Sequence, residues 1–478
     1  MVFTSFNFLL FFPIVIILSY LTPVRYRWFT LLVISYLFYT NVKPIYTLLL
    51  IGVTTSTYYF TWLINREEDD RKKTRWMRIN IVLILLPLFF FKYFGEINNQ
   101  LIELLQGHGL TWALPEMRLI LPLGISFYTF MAIGYTVDVY NEEIPFERNI
   151  GKLALFISFF PLVLSGPIER ANNMLLQFSN IGRINYLNLT TGFKMMLWGY
   201  FLKLVVADRL AIYIDAVYNN LTHHNGTTLL VTTILYPFQV YADLGGYSLI
   251  AIGVSKALGF NVMQNFNRPF FAKSMSEFWR RWHISLISWL TDYIYTPLSF
   301  SLRKYKIWGI VMALVLTFFI SGIWHGASLT FVAWGLLQGI FLSFEALTNK
   351  RKLAFEAKYK LQKSKLYLAA NIILTFILFA VSQVYGRSES ITDANFIFSK
   401  IFVDQGTLFI GTPATLLYII LGLLIMMTND YFYEFKIEKF IFFKNKYSSI
   451  RYISVSITVI LLILLGVFDG GQFIYFQF

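Results

Sequence analysis

Long apolar stretches alternate with short polar ones along almost the whole chain. Runs suited to membrane helices lie near 6–22, 28–43, 46–64, 79–95, 119–139, 150–166, 191–206, 228–255, 307–324, 328–347, 366–385, 412–428 and 452–470. A helix needs about 20 apolar residues to cross the hydrocarbon. The shorter runs, 28–43 among them, are therefore expected to tilt, re-enter or lie in the interface. The pattern predicts an all-α polytopic membrane protein with roughly 11–13 embedded helices. A membrane barrel would instead show alternating segments of about ten residues. The stretches 97–118 and 386–411 read as loops on the outer side.

One region breaks this rhythm. Residues 262–306 carry Arg268, Lys273, Arg280, Arg281, Arg303, Lys304 and Lys306 among tryptophans and phenylalanines. Helical spacing in Phe278-Trp279-Arg280-Arg281-Trp282-His283 groups Trp279, Trp282 and Leu286 on one face, with both arginines elsewhere. An amphipathic helix at the cytoplasmic interface, or one entering a cavity, is expected.

Composition agrees with the pattern: of 478 residues, 57% are hydrophobic and 14% charged, against about 25% charged in soluble domains. The formal net charge of +14 raises nucleic acid as a partner. The basic residues, however, fall in short loops between apolar runs, so they chiefly set orientation. The clusters are Arg25 and Arg27; Arg66, Arg71, Lys72, Lys73, Arg75 and Arg78; Lys350 to Lys365; and Lys436, Lys439, Lys444, Lys446 and Arg451. With all four cytoplasmic, both termini and the loop carrying His325 face outward. Phe6–Leu21 lacks a basic segment before it and reads as a retained first span. The chain has no cysteine, which excludes thiolate metal sites and cysteine nucleophiles.

His325 lies between two apolar runs in Ser321-Gly322-Ile323-Trp324-His325-Gly326-Ala327. An ionisable group inside a membrane is costly to bury and marks function by default; the plainer alternative is a histidine bonded to a neighbouring helix. Gly322 and Gly326 permit close approach of a backbone or a substrate. Of the other histidines, His108, His223 and His224 occupy polar turns, whereas His283 sits in the tryptophan-rich stretch. An imidazole near neutral pH suits a general base for attack by a hydroxyl. Asp243, beside Gly245-Gly246, either lines a cavity, orients a histidine or caps a helix. Asp208 and Arg209 read as a locally neutralised pair, and Asp138 as a segment-end residue. The phosphate-binding, dinucleotide and nucleophile-elbow motifs are absent, and the histidine pair lacks the ligands of a zinc site.

Seven further motifs appear in order. They are Pro122-Leu123-Gly124-Ile125-Ser126-Phe127-Tyr128-Thr129-Phe130; Phe160-Pro161 with Ser165-Gly166-Pro167-Ile168; Tyr241 to Ser248; Asn265-Phe266-Asn267-Arg268-Pro269-Phe270; Glu277 to Ser285; Gly322-Ile323-Trp324-His325-Gly326; and Phe473 to Phe478. This series resembles the membrane-bound O-acyltransferase superfamily, in its bacterial alginate O-acetylase-like branch, which is related to the teichoic-acid D-alanylation membrane protein. The resemblance runs from about Leu121 to the C-terminus. It implies one integral-membrane domain over 1–478, with peripheral spans in 1–118 and a catalytic core in 119–478 built around a central tunnel.

The resemblance also implies roles. His325 and His283 match the family's two histidines as catalytic candidates. Asp243, Asn265, Arg280, Arg281, Trp282 and Trp324 become candidates for holding donor or substrate, with the arginines meeting phosphates and the tryptophans shaping the tunnel. No bound cofactor or metal is implied; the donor would be acetyl-CoA or an acyl-carrier thioester. The expected partners are membrane lipid, an outer esterase-like acyltransferase and a polysaccharide acceptor, at a bacterial inner or plasma membrane, without nucleic acid. Two departures bear on alginate specifically. Pro297 is followed by Leu298-Ser299-Phe300-Ser301 instead of a Gly-Gly-Asn-Arg turn, and Tyr385-Gly386-Arg387-Ser388 replaces a Phe-Arg pair. A transporter for an envelope precursor or anionic solute is the competing reading, although no inverted repeat is visible; a scaffold for an envelope complex is the third.

Overall fold

Where lipid replaces water, each backbone N–H and C=O must find its partner within the segment, so the apolar runs fold as helices. The structure, a computed structural model, describes every residue except 1, 42, 109–120, 183–184, 438–442, 444 and 469–478. Lys439, Lys444, the motif Phe473 to Phe478 and part of the 97–118 stretch thus lie outside the described residues. Among the described residues there is no strand.

In chain order the helices begin with α1 (Phe6–Leu21), α2 (Val24–Thr40), α3 (Pro44–Arg66), α4 (Asp70–Phe89), α5 (Gly95–Gly107), α6 (Ile125–Tyr140) and α7 (Ile150–Ser158). They continue with α8 (Phe160–Val163), α9 (Ala171–Ser179), α10 (Tyr186–Tyr200), α11 (Asp208–Tyr218), α12 (Gly226–Ala257), α13 (Met275–Arg281) and α14 (Ile284–Leu290). The last are α15 (Thr296–Ser301), α16 (Ile307–His325), α17 (Leu329–Lys358), α18 (Lys365–Arg387), α19 (Ile391–Val403), α20 (Pro413–Glu434) and α21 (Ser448–Leu465). Seven helices among the described residues are long and apolar enough to cross a membrane: α3, α4 continued through α5, α16, α17, α18, α20 and α21. Of the other predicted runs, 228–255 forms the continuous 32-residue α12, which carries Pro237 inside it, and the rest form shorter helices such as α1 or helices interrupted along the run.

The chain divides into two compact units. The first comprises Met1–Met196 and Ile250–Met263. Inside it Asn80 of α4 accepts a hydrogen bond from Ser56 of α3 at 2.8 Å and donates to Thr136 of α6 at 2.9 Å, so one buried amide ties three helices. The predicted run 150–166 breaks at Phe159, ahead of Pro161, and the freed Phe160 N–H donates to Ser35 Oγ at 3.1 Å. The second unit comprises Leu197–Leu249 and Gln264–Gln477.

In that second unit α16, α17 and α18 form consecutive antiparallel hairpins. Gly322 makes the first possible, because a Cβ there would collide with the Phe331 carbonyl of α17. Gln338 of α17 donates to Ser382 Oγ of α18 at 2.6 Å, which fixes the register of the second. His325 and Arg387, at the C-terminal ends of α16 and α18, therefore share one end of this group. The lysine-rich turn between α17 and α18 marks the opposite end.

Three expectations need correction. The described part of 97–118 is not a loop through residue 107: α4 continues through a π-helical turn, Phe90–Phe94, into α5. Within 386–411, Ser390 accepts from the Asp393 N–H at 3.0 Å and starts α19, whose Ala394 and Ile397 are buried. The amphipathic helix through 278–286 is two seven-residue helices, α13 and α14, broken at His283.

Candidate active site

The break at His283 is held open by a neighbouring strap. His283 is left-handed, with φ 46° and ψ 49°, a conformation that non-glycine residues adopt rarely and that persists only when its surroundings enforce it. The strap 264–268 supplies the enforcement. Ile284 N donates to the Asn265 carbonyl at 2.8 Å and Asn267 N to the Arg281 carbonyl at 2.8 Å, one bond on each side of the histidine. The Asn265 side-chain oxygen also accepts from Ser285 N at 3.2 Å and Ser285 Oγ at 2.9 Å. Asn265 thus occupies the N-terminus of α14, satisfying donors that a helix start leaves free. These bonds give Asn265 a positioning role in the turn.

Arg281 is committed in the same way. Its Nη1 and Nη2 meet Glu434 Oε2 and Oε1 at 2.9 and 3.0 Å, a two-pronged pairing, and Nη2 also reaches Glu277 Oε1 at 2.6 Å. Arg268, itself left-handed at φ 47°, donates from Nε to the same Glu434 Oε2 at 2.9 Å. One carboxylate at the end of α20 therefore grips the strap and α13 together. Both terminal nitrogens of Arg281 are thus already engaged by carboxylates. Arg280, one position earlier, is exposed and stands outside it.

Around the histidines lies an aromatic wall. The His325 ring is half-buried, with centroids 4.6 Å from Trp324, 4.9 Å from Trp334 and 6.2 Å from Phe331. Trp334 continues to Trp279 at 6.0 Å, Trp279 to Phe278 at 5.6 Å, and Phe278 to Trp282 at 5.4 Å. Trp282 directly precedes His283, whose ring lies 6.0 Å from Phe266. The wall thus links the two histidines within one unit. As the amphipathic pattern required, Trp279, Trp282 and Leu286 are all buried. Burial also pushes the His283 imidazole below its usual value, to about 4; α13 and α14 are too short to span, and His283 stays neutral at physiological pH. The space beside Gly322 and Gly326 is filled by the chain itself, the Phe331 carbonyl at one and the Phe331 ring at the other.

Asp243 is buried in an ion pair, its Oδ1 2.6 Å from Lys203 Nζ, which also donates to Asp208 Oδ1 at 2.8 Å. The expected Asp208–Arg209 pair is absent: Arg209 Nε donates to the Leu465 carbonyl at 2.7 Å and its guanidinium lies 5.1 Å from the centroid of the Tyr418 ring. Asp243 lies in the middle of α12, so it is not a helix-end cap. Lys203 was the missed residue. It sits in a π-helical turn, Phe201–Ala207, a local widening that often marks a site under constraint. The signal available in the sequence is a lysine near the end of the apolar run 191–206, within a few residues of Asp208. Among the described residues no group of three or more His, Cys, Asp or Glu is arranged to hold a metal ion.

Comparison with known proteins adds independent findings. The family model of membrane-bound O-acyltransferases matches residues 148–388. A probable alginate O-acetylase AlgI of Pseudomonas syringae pv. tomato is 35% identical over 415 residues, covering 84% of this chain and 75% of that one. The peptidoglycan O-acetyltransferase of Helicobacter pylori is 31% identical over 77% of this chain and 72% of its own. The teichoic acid D-alanyltransferase of Bacillus subtilis is 27% identical over 62% and 73%.

Proposed function

The chain belongs to the membrane-bound O-acyltransferase family and is a multi-pass membrane O-acyltransferase, and we propose that it moves an acetyl group from a cytoplasmic thioester to a hydroxyl of an envelope polysaccharide. The acetyl group is favoured over D-alanine because the relatives at 31–35% identity are named for acetyl transfer and the D-alanyltransferases stand at 27%. The same relatives, with their names for alginate and peptidoglycan, support a saccharide hydroxyl as the final acceptor. The bacterial origin of these relatives supports an inner or plasma membrane as its location. An outer esterase-like protein is proposed to take the acetyl group where the polysaccharide is not reached directly.

In the proposed reaction the acceptor oxygen attacks the thioester carbonyl carbon. The new C–O bond forms as the C–S bond breaks. His325 takes the hydroxyl proton and the departing thiolate receives one, so no oxidant or further reactant is needed. His283 assists by holding a neutral imidazole in a fixed turn. Arg280 is proposed to meet the donor's phosphates, with charge-assisted hydrogen bonds. Trp324 and Trp282 exclude water from the path. The observation that carries this reading is the half-exposed His325, seated on the tryptophan wall that leads to His283.

The test uses purified full-length protein with acetyl-CoA, following thiol release on addition of a hydroxyl acceptor. Acceptor-dependent release that disappears in His325→Ala supports the reading. Acceptor-dependent release unchanged in His325→Ala sinks the assigned base. No release with acetyl-CoA, an acetyl-carrier thioester or an added esterase-like partner sinks the function.

A further inference from the structure

At the end of the second unit that carries His325, a polar cavity of about 280 Å³ opens between the segment following α11 and the start of α19. Asn219, Asn220 and Thr222 line one wall, and Arg387, Ser388 and Glu389 the other. The lining residue Arg387 lies at the same end of the hairpins as His325, and Gly386, which precedes it, packs against the aromatic wall. A Cβ on Gly386 would lie 3.5 Å from the Trp334 indole, and that indole packs against His325 at 4.9 Å.

Its chemistry suits a sugar ring. Amides and hydroxyls both donate and accept, as sugar hydroxyls require, and the volume is at the small end for ligand pockets. Its charge narrows the choice. The cation Arg387 is already engaged, with Nη2 2.8 Å from Asp215 Oδ1 and its guanidinium 5.0 Å from the centroid of the Tyr218 ring. Glu389 and Asp393, the latter accepting from Ser390 Oγ at 2.7 Å, also line the cavity, so its two carboxylates outnumber its one guanidinium, with His223 as the remaining basic group. A uronate would place a further negative charge there.

We propose that this cavity holds one uncharged hexose ring, N-acetylated or plain, of the acceptor glycan, and disfavours uronates. The proposal rests on the acyltransferase reading, since it places the acceptor at the His325 end of the unit. It assigns acceptor preference to residues remote from the thioester end.

The test is saturation-transfer NMR on the full chain in lipid nanodiscs, with chitotetraose and tetramannuronate as probes. Wild type is expected to bind chitotetraose and not tetramannuronate. Thr222→Trp, which fills the cavity from an exposed position, should abolish chitotetraose binding, whereas Thr222→Val should keep it. Glu389→Lys should admit tetramannuronate. Tetramannuronate bound by wild type as well as chitotetraose would overturn the proposal, as would chitotetraose binding unchanged in Thr222→Trp. So would a Thr222→Trp protein that keeps the saccharide but loses an envelope protein partner. Thiol release from acetyl-CoA separates the two readings. Release without saccharide binding refutes only the cavity, whereas no release under any donor refutes the acyltransferase reading itself.

Discussion

Removing the Glu434 carboxylate should loosen the His283 turn without touching either histidine. Glu434 receives three charge-assisted hydrogen bonds, one from Arg268 and two from Arg281, at 2.9, 2.9 and 3.0 Å. Breaking a buried pair from one side costs about 3–5 kcal/mol. Here the arginine side chains are 26% and 17% exposed, and Glu277 still holds Arg281. Glu434→Ala is therefore expected to cost about 2–3 kcal/mol. The left-handed backbone at His283 is itself worth about 1–3 kcal/mol of strain, so a loss of this size is enough to let the turn relax. Transfer should then fall by about 30- to 100-fold, since about 1.4 kcal/mol is a factor of ten. Glu434→Gln keeps the shape and loses the charge, and should fall by about tenfold or less. The decisive form is a double-mutant cycle with Arg281→Ala, read by acetyl transfer and by thermal unfolding in detergent. The clamp predicts a coupling of about 1.5 kcal/mol or more. Additivity within about 0.5 kcal/mol would refute the clamp as the support of this turn.

Other expectations follow from the same geometry. His325→Ala and His325→Gln should both abolish transfer while the protein inserts and unfolds at the wild-type temperature; measurable turnover in either removes His325 as the base. Lys203→Met should destabilise by about 3–5 kcal/mol by stranding Asp208 and Asp243, and the triple variant with Asp208→Asn and Asp243→Asn should recover most of it in a thermal melt. Because His283 is depressed to about 4 from 6.5, the unfolded chain binds the extra proton between those values, so stability falls as pH drops through that window. The span is worth about 3 kcal/mol, and His283→Gln should flatten that part of the stability profile; an unchanged slope would argue against a buried neutral imidazole. Gly322→Val should prevent the α16–α17 approach and give poorly folded protein, seen as early elution or loss in size-exclusion chromatography.

What was legible in the sequence follows from which forces act locally. Lipid solvation acts on every residue of a span, so apolar runs foretold helices such as α16, α17, α18 and α20. Helical spacing foretold that Trp279, Trp282 and Leu286 would be buried together. The break at His283 was not legible, because it depends on Asn265 and Asn267 reaching back from an earlier strap. Arg281 looked like a phosphate ligand because its partner, Glu434, is 153 positions away. Asp243 was read against its neighbours, whereas its charge is answered by Lys203 from another helix. Residues around His325 were readable because the intramembrane imidazole, the glycine contact and the tryptophans all belong to one hairpin.

The most direct test of the account is acetyl transfer in sealed inside-out vesicles, with labelled acetyl-CoA outside and envelope glycan enclosed. The account predicts label on the enclosed glycan with wild type, once the outer partner is present, and none with His325→Ala. Label appearing equally with both proteins, or only on material outside the vesicles, would contradict transfer across the membrane through His325.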